Sequence, residues 1–130
     1  MSQGGARPSE VDRLPPMTHY VLGLLRRPHG LPALAEEEAN RLQEAHLAHL
    51  RRLRESGETI ATGPLEGDLE LRGILIFRTD SVARAEELMR SDPVVRGGRL
   101  LLELHRWYAP AGLAVAEVAG SPSELTFETD

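Results

Sequence analysis

At 130 residues and 41% apolar composition, the chain has the length of one domain with a real hydrophobic core and too little for two. It holds no cysteine, which excludes disulfides, thiolate metal centres, iron–sulfur clusters and thiol nucleophiles, and all 15 basic residues are arginine, which excludes Schiff-base lysine chemistry. The net charge is -5, of which Glu117, Glu124, Glu128 and Asp130 contribute four; the near-neutral remainder, with 4% aromatic residues, offers neither a basic stripe nor stacking platforms, so nucleic acid is not an expected partner.

The first sixteen residues, MSQGGARPSEVDRLPP, are polar, hold three prolines and contain no apolar run suited to a signal peptide or membrane span. They read as a flexible N-terminal segment of a cytoplasmic protein with no membrane partner. MTHYVLGLLRR predicts a strand over about 18–25, and RRPHGLPAL a loop. In AEEEANRLQEAHLAHLRRLRESGE, Ala39, Leu42, His46, Leu50 and Leu53 recur at three and four, which predicts a helix. Glu36, Glu37 and Glu38 near its start and Arg51, Arg52 and Arg54 near its end suit the helix dipole, and Gly57 supplies the stop.

ETIATGPLEGDLELRGILIFRTD predicts a hairpin of strands 59–63 and 70–78 turning at EGD. A second helix follows in DSVARAEELMRSDP, capped by Asp80 or Ser81, with Val82, Ala85, Leu88 and Met89 as its apolar stripe and Pro93 past its end. GGRLLLELHRWYAP predicts a last strand over 99–109, and residues 110–130 form an acidic tail. Strand, helix, strand, strand, helix, strand is the α+β ferredoxin-like order, a four-stranded antiparallel sheet with both helices on one face. Tyr20, Leu22 and Leu24 alternate with Val21 and Leu25, and Leu100, Leu102 and Leu104 with Leu101 and Trp107, so neither sheet face is built for water. A homodimer packed sheet against sheet is the expected cover for the second face.

Five histidines are the candidate acid–base groups. His29 falls in a Pro/Gly loop, His105 alternates with Glu103 and Trp107, and His19 opens a strand; each reads as structural or solvated. His46 sits inside the helix's apolar stripe, where a buried imidazole needs polar partners. It is either a core residue satisfied by a backbone carbonyl or a functional base. Asp92, before Pro93, is biased out of helical angles, and its side chain either caps a following turn or points in a fixed direction; the two roles are compatible. His46 and His49 share a helical spacing of three, but no second pair has metal-ligand spacing, and no metal is expected. GPLEGDLELRG joins two strands and is no phosphate loop, and no serine lies in a nucleophile elbow.

The segments THYVLGLLRRP, EAHLAHLRRLRESGETIATGPL, GILIFRTDSVARAEELMRSDPVVRGG and LLLELHRWYAP together resemble the YCII-related proteins over residues 17–109. That resemblance implies the dimeric α/β barrel fold and assigns a His–Asp dyad to His46 and Asp92, in a pocket between helices and sheet. It matches Gly63 and Pro64 to the family's Gly-Pro, as pocket wall. His49 and Tyr20 are further candidates for contact with a small-molecule ligand. The implied chemistry is cofactor-free general acid–base catalysis of lyase, isomerase or hydrolase type on a small cyclic or aromatic substrate. The alternatives are a non-catalytic ligand-binding or accessory module and, more remotely, a cofactor-free monooxygenase.

Overall fold

The computed structural model describes residues 15–67 and 69–115; the proline-rich start before residue 15 and the tail from residue 116 lie outside them. The elements run β1 (Met17–Arg26), α1 (Glu36–Glu55), β2 (Thr59–Pro64), β3 (Leu71–Phe77), α2 (Val82–Met89), α3 (Pro93–Arg96) and β4 (Leu101–Pro110). The strands form one antiparallel sheet in the order β2–β3–β1–β4. This is the ferredoxin-like arrangement expected from the sequence, with one addition: α3, a single helical turn.

Alternation along β1 sends Val21, Gly23 and Leu25 to one face and Tyr20, Leu22 and Leu24 to the other. Register carries the division across the sheet, because Val21 lies opposite Phe77 on β3, Gly23 opposite Leu75, and Leu25 opposite Leu102 on β4. The first face meets the helices. Val21, Leu25, Leu75 and Phe77 form one buried cluster with Leu50 and Leu53 of α1, Ala85 and Met89 of α2, Val94 of α3, and Leu100. Each of the Val, Leu, Phe and Met side chains contributes about 1.5–3 kcal/mol on burial. Gly23 is required by this packing: a Cβ there would stand 3.0 Å from the Phe77 ring and 3.4 Å from Leu104.

The helix ends follow from local chemistry. At the end of α1, Gly57 takes a φ of 82°, its N–H donates to Arg54 O, and the Glu58 N–H donates to Leu53 O, the paired bonds of a Schellman turn. The start of α1 has no side-chain cap, and Glu36, Glu37 and Glu38 in the first turn complement the dipole instead. Of the two possible caps for α2, Ser81 serves: its Oγ accepts from the Arg84 N–H at 3.0 Å. Pro93 then starts α3 at its first position, where a missing N–H costs nothing.

The opposite sheet face carries a second cluster, Tyr20, Ile60 and Ala109 with Ile76 and Leu113, that includes no helical residue. Trp107 is 38% exposed there and Leu101 53%. The chain after β4 turns back onto this face: the Ala111 N–H donates to Pro16 O, and the Tyr20 hydroxyl donates to Pro110 O and accepts from the Leu113 N–H. Among the described residues no helix is long and apolar enough to cross a membrane.

Candidate functional site

The stripe of α1 that meets the sheet buries His46, His49, Leu50 and Leu53. From the other side, α2 ends at Met89 and the chain turns through Arg90 and Ser91 into Asp92, whose N–H donates to Met89 O at 3.1 Å. Asp92 adopts φ -66° and ψ 123°, the extended geometry imposed on a residue before proline, and its carbonyl accepts the Arg96 N–H at 2.8 Å. Its backbone therefore occupies the cap position of α3. Its side chain makes no capping bond there and reaches to α1 instead.

There His46 Nδ1 lies 2.9 Å from Asp92 Oδ1 and 2.9 Å from Oδ2. Both side chains are fully buried. Nδ1–H donates to the carboxylate, and a neutral ring so held carries its lone pair on Nε2. The carboxylate fixes the tautomer and orients the ring. Of the two readings of Asp92, helical cap and aimed carboxylate, the side chain follows the second.

His49, one turn on from His46 along α1, is buried as well, 5% exposed. Its Nε2–H donates to Leu88 O at 2.8 Å, and Arg52 Nη2 donates to its Nδ1 at 3.3 Å. Both ring nitrogens are thus engaged, Nε2 tying α1 to α2 and Nδ1 held within α1. Tyr20 and Gly63 fall on the sheet face away from the helices, as the pairing of Gly63 with Ile74 and of Ile74 with Leu24 requires, and Pro64 is exposed at the end of β2. The fold brings together His46, Asp92 and His49, and does not bring Tyr20, Gly63 or Pro64 to them on the helix side.

The other histidines are at the surface. His29 pairs with Glu70, His19 packs against the Tyr108 ring with centroids 4.9 Å apart, and His105 Nε2–H donates to Glu103 at 2.6 Å. Arg26 Nε donates to the same Glu103 at 2.7 Å, and this bond, with the one from His105, holds the Glu103 carboxyl below the usual carboxylate range. Among the described residues no group of three or more His, Asp or Glu side chains could hold a metal ion.

An open cleft of about 550 Å³ lies between α2, α3 and β4. Met89, Val95, Leu100 and Leu102 wall it, and its charged groups are Glu86, Arg90 and Arg96. Neither His46 nor Asp92 lines it, so the cleft and the buried pair are separate features. One polar residue on the dyad's helix face escaped the periodicity reading. Gln43, one turn before His46, is half-buried, and its Oε1 is buried and accepts no hydrogen bond among the described residues. The signal was its spacing of three from His46.

Comparison with known proteins settles the lineage. A family model, the YCII-related domain, matches residues 19–107. The chain belongs to the YCII-related family. No protein of curated function matches the sequence. Among solved structures, this YCII-related chain is similar to 5-chloro-2-hydroxyhydroquinone dehydrochlorinase from Burkholderia phenoliruptrix AC1100, in complex with 2,5-dihydroxybenzoquinone. Identity is 20% and the TM-score 0.52, over 68% of this chain and 92% of that one. The likeness is one of fold, and it agrees with the α+β architecture described above.

Proposed function

We propose that this YCII-related protein is a cofactor-independent enzyme acting on a small cyclic or aromatic molecule, with His46 and Asp92 as its acid–base pair. The observation that carries this reading is a buried imidazole held through Nδ1 by both oxygens of a buried carboxylate. In the proposed reaction His46 Nε2 takes a proton from the substrate, and Asp92 holds the ring and offsets the charge that develops on it. A base positioned in this way is worth about a hundred- to ten-thousand-fold in rate. Elimination, isomerisation and hydrolysis all begin with such a step. Family membership and the fold shared with a dehydrochlorinase support this class of chemistry, and a chlorinated hydroxyhydroquinone is the first substrate to try.

The working unit in this reading is a homodimer formed through the sheet face that the helices leave uncovered, where Leu22, Leu24, Ile74, Ile76 and Trp107 stand. Tyr20 and Gly63 belong to that face, and contact a ligand only where the site extends to the dimer interface. His49 contributes to the proton-transfer site as wall.

A second reading, a non-catalytic accessory module in which the pair is structural, is favoured by one observation: both side chains are fully buried. Turnover separates the two. The enzyme reading expects wild-type protein to release chloride from 5-chloro-2-hydroxyhydroquinone or to turn over another member of a hydroxylated-ring panel, and expects His46→Ala to abolish turnover while sparing binding. Binding with no turnover of any panel member puts the module reading in its place.

A further inference from the structure

We propose that Gln43 is a ligand-contacting residue of the His46 site, reading an O–H or N–H donor on the bound molecule. This rests on the acid–base reading of His46 and adds a specificity determinant to it.

Residues three apart on a helix are neighbours on one face, with Cβ atoms about 5–6 Å apart. Gln43 therefore sits beside His46. Its sequence neighbours Arg41, Glu44 and Ala45 are exposed, whereas Gln43 is half-buried and Leu42 next to it packs on the core, so its side chain belongs to the inward half of α1. The carboxamide Oε1 is buried and has no donor among the described residues. A buried acceptor left without a donor costs about 1–3 kcal/mol, and native structures keep few of them. The contrast with His49 is informative: that ring lies on the same helix, and both of its nitrogens have partners. Where a polar group on this face serves packing, the fold supplies its partners. For Gln43 Oε1 a ligand supplies the donor.

The chemistry of the acceptor defines what is recognised. An amide oxygen gains nothing from an ether, a ketone or a carboxylate, which have no proton to give, and gains a hydrogen bond from a hydroxyl or N–H. A ring with two hydroxyl groups can present one proton to His46 Nε2 and the other to Gln43. A site built around such an acceptor also rejects the analogue without a donor, because the buried oxygen is then left unpaired.

The test compares wild type, Gln43→Met and Gln43→Leu in the full chain. Calorimetry under argon measures binding of 1,2,4-trihydroxybenzene and of 1,2,4-trimethoxybenzene, which has no donor, and urea unfolding measures stability. Expected are a preference of the wild type for the trihydroxy compound, a loss of about tenfold of that preference in both variants, the size of one neutral hydrogen bond, and unfolding midpoints no lower than wild type. A wild type that binds neither compound or does not discriminate overturns the proposal. So does discrimination that is undiminished in the variants, or variants with lowered midpoints and unchanged binding, the mark of a merely structural glutamine. His46→Ala is assayed in parallel. If it leaves turnover intact while the Gln43 variants lose discrimination, the acid–base reading fails and the contact stands; the opposite pattern removes the contact alone.

Discussion

His46 and Asp92 are 46 residues apart in the chain and meet at 2.9 Å in an interior that excludes solvent from both. The contact joins the middle of α1 to the junction of α2 and α3, so a single pair serves both packing and proposed chemistry. Removing Asp92 leaves the buried Nδ1–H of a neutral ring without an acceptor, which costs about 1–3 kcal/mol. Asp92→Ala should therefore destabilise the protein by about that much in urea unfolding. Asp92→Asn, which keeps an acceptor for Nδ1–H, should cost less. Equal stability of wild type and Asp92→Ala would show that the pair holds nothing together.

Two glycines should respond to alanine for different reasons. At Gly23 the backbone is ordinary extended strand and the obstacle is the Phe77 ring, 3.0 Å from where the methyl would go. Overpacking of this kind costs about 1–3 kcal/mol. At Gly57 no atom lies within 4 Å of the added methyl, and the obstacle is a φ of 82°; the cost there is about 1–2 kcal/mol. A compensating Phe77→Leu should recover part of the Gly23→Ala loss and none of the Gly57→Ala loss, as a double-mutant cycle by thermal unfolding would reveal.

Glu103 should make a small acid-dependent contribution to stability. Its folded carboxyl is held low, chiefly by Arg26 and then by His105, so its contribution is fully present above the ordinary carboxylate pKa. It is lost as the pH falls through the lowered folded value. The side chains of both Arg26 and Glu103 are about two-fifths exposed, which keeps the effect modest and sensitive to salt. Arg26→Met should lower stability slightly at neutral pH, and the gap to wild type should close on acidification. A gap that is constant across the acidic range would mean that the two groups are not coupled.

The uncovered sheet face should set the oligomeric state. Leu24, between Ile74 on β3 and Glu103 on β4, lies within it. Sedimentation at micromolar concentration should give a dimer for the wild type and a monomer for Leu24→Arg, with helix content by circular dichroism unchanged. A monomeric wild type would remove the dimer from the account.

Much of this arrangement was legible in the residues. The period of three and four in α1 placed His46 inward, and the Asp-Pro pair fixed Asp92 outside α2, because both signals are local. What was not legible depends on partners distant in sequence. The burial of His49 is not visible in its spacing, because the ring is satisfied by the Leu88 carbonyl from α2. The last strand begins at Leu101 rather than at residue 99, because the Arg99 and Leu100 N–H groups both turn back to Val94 O. Val82 lies at the open cleft, 37% exposed, although the stripe it belongs to is otherwise inward. Gln43 interrupts the apolar pattern of α1, and the burial of its Oε1 depends on the packed helix.

The central claim is that Asp92 holds His46 in the form that can accept a proton at Nε2. Long-range ¹H–¹⁵N correlation spectra of the imidazole in the wild type and in Asp92→Asn and Asp92→Ala test it most directly. Wild type should show the Nδ1–H tautomer, Asp92→Asn should retain it, and Asp92→Ala should lose or mix it. An Nε2–H ring in the wild type, or a tautomer unchanged by Asp92→Ala, would contradict the central claim and leave His46 as a residue of the core.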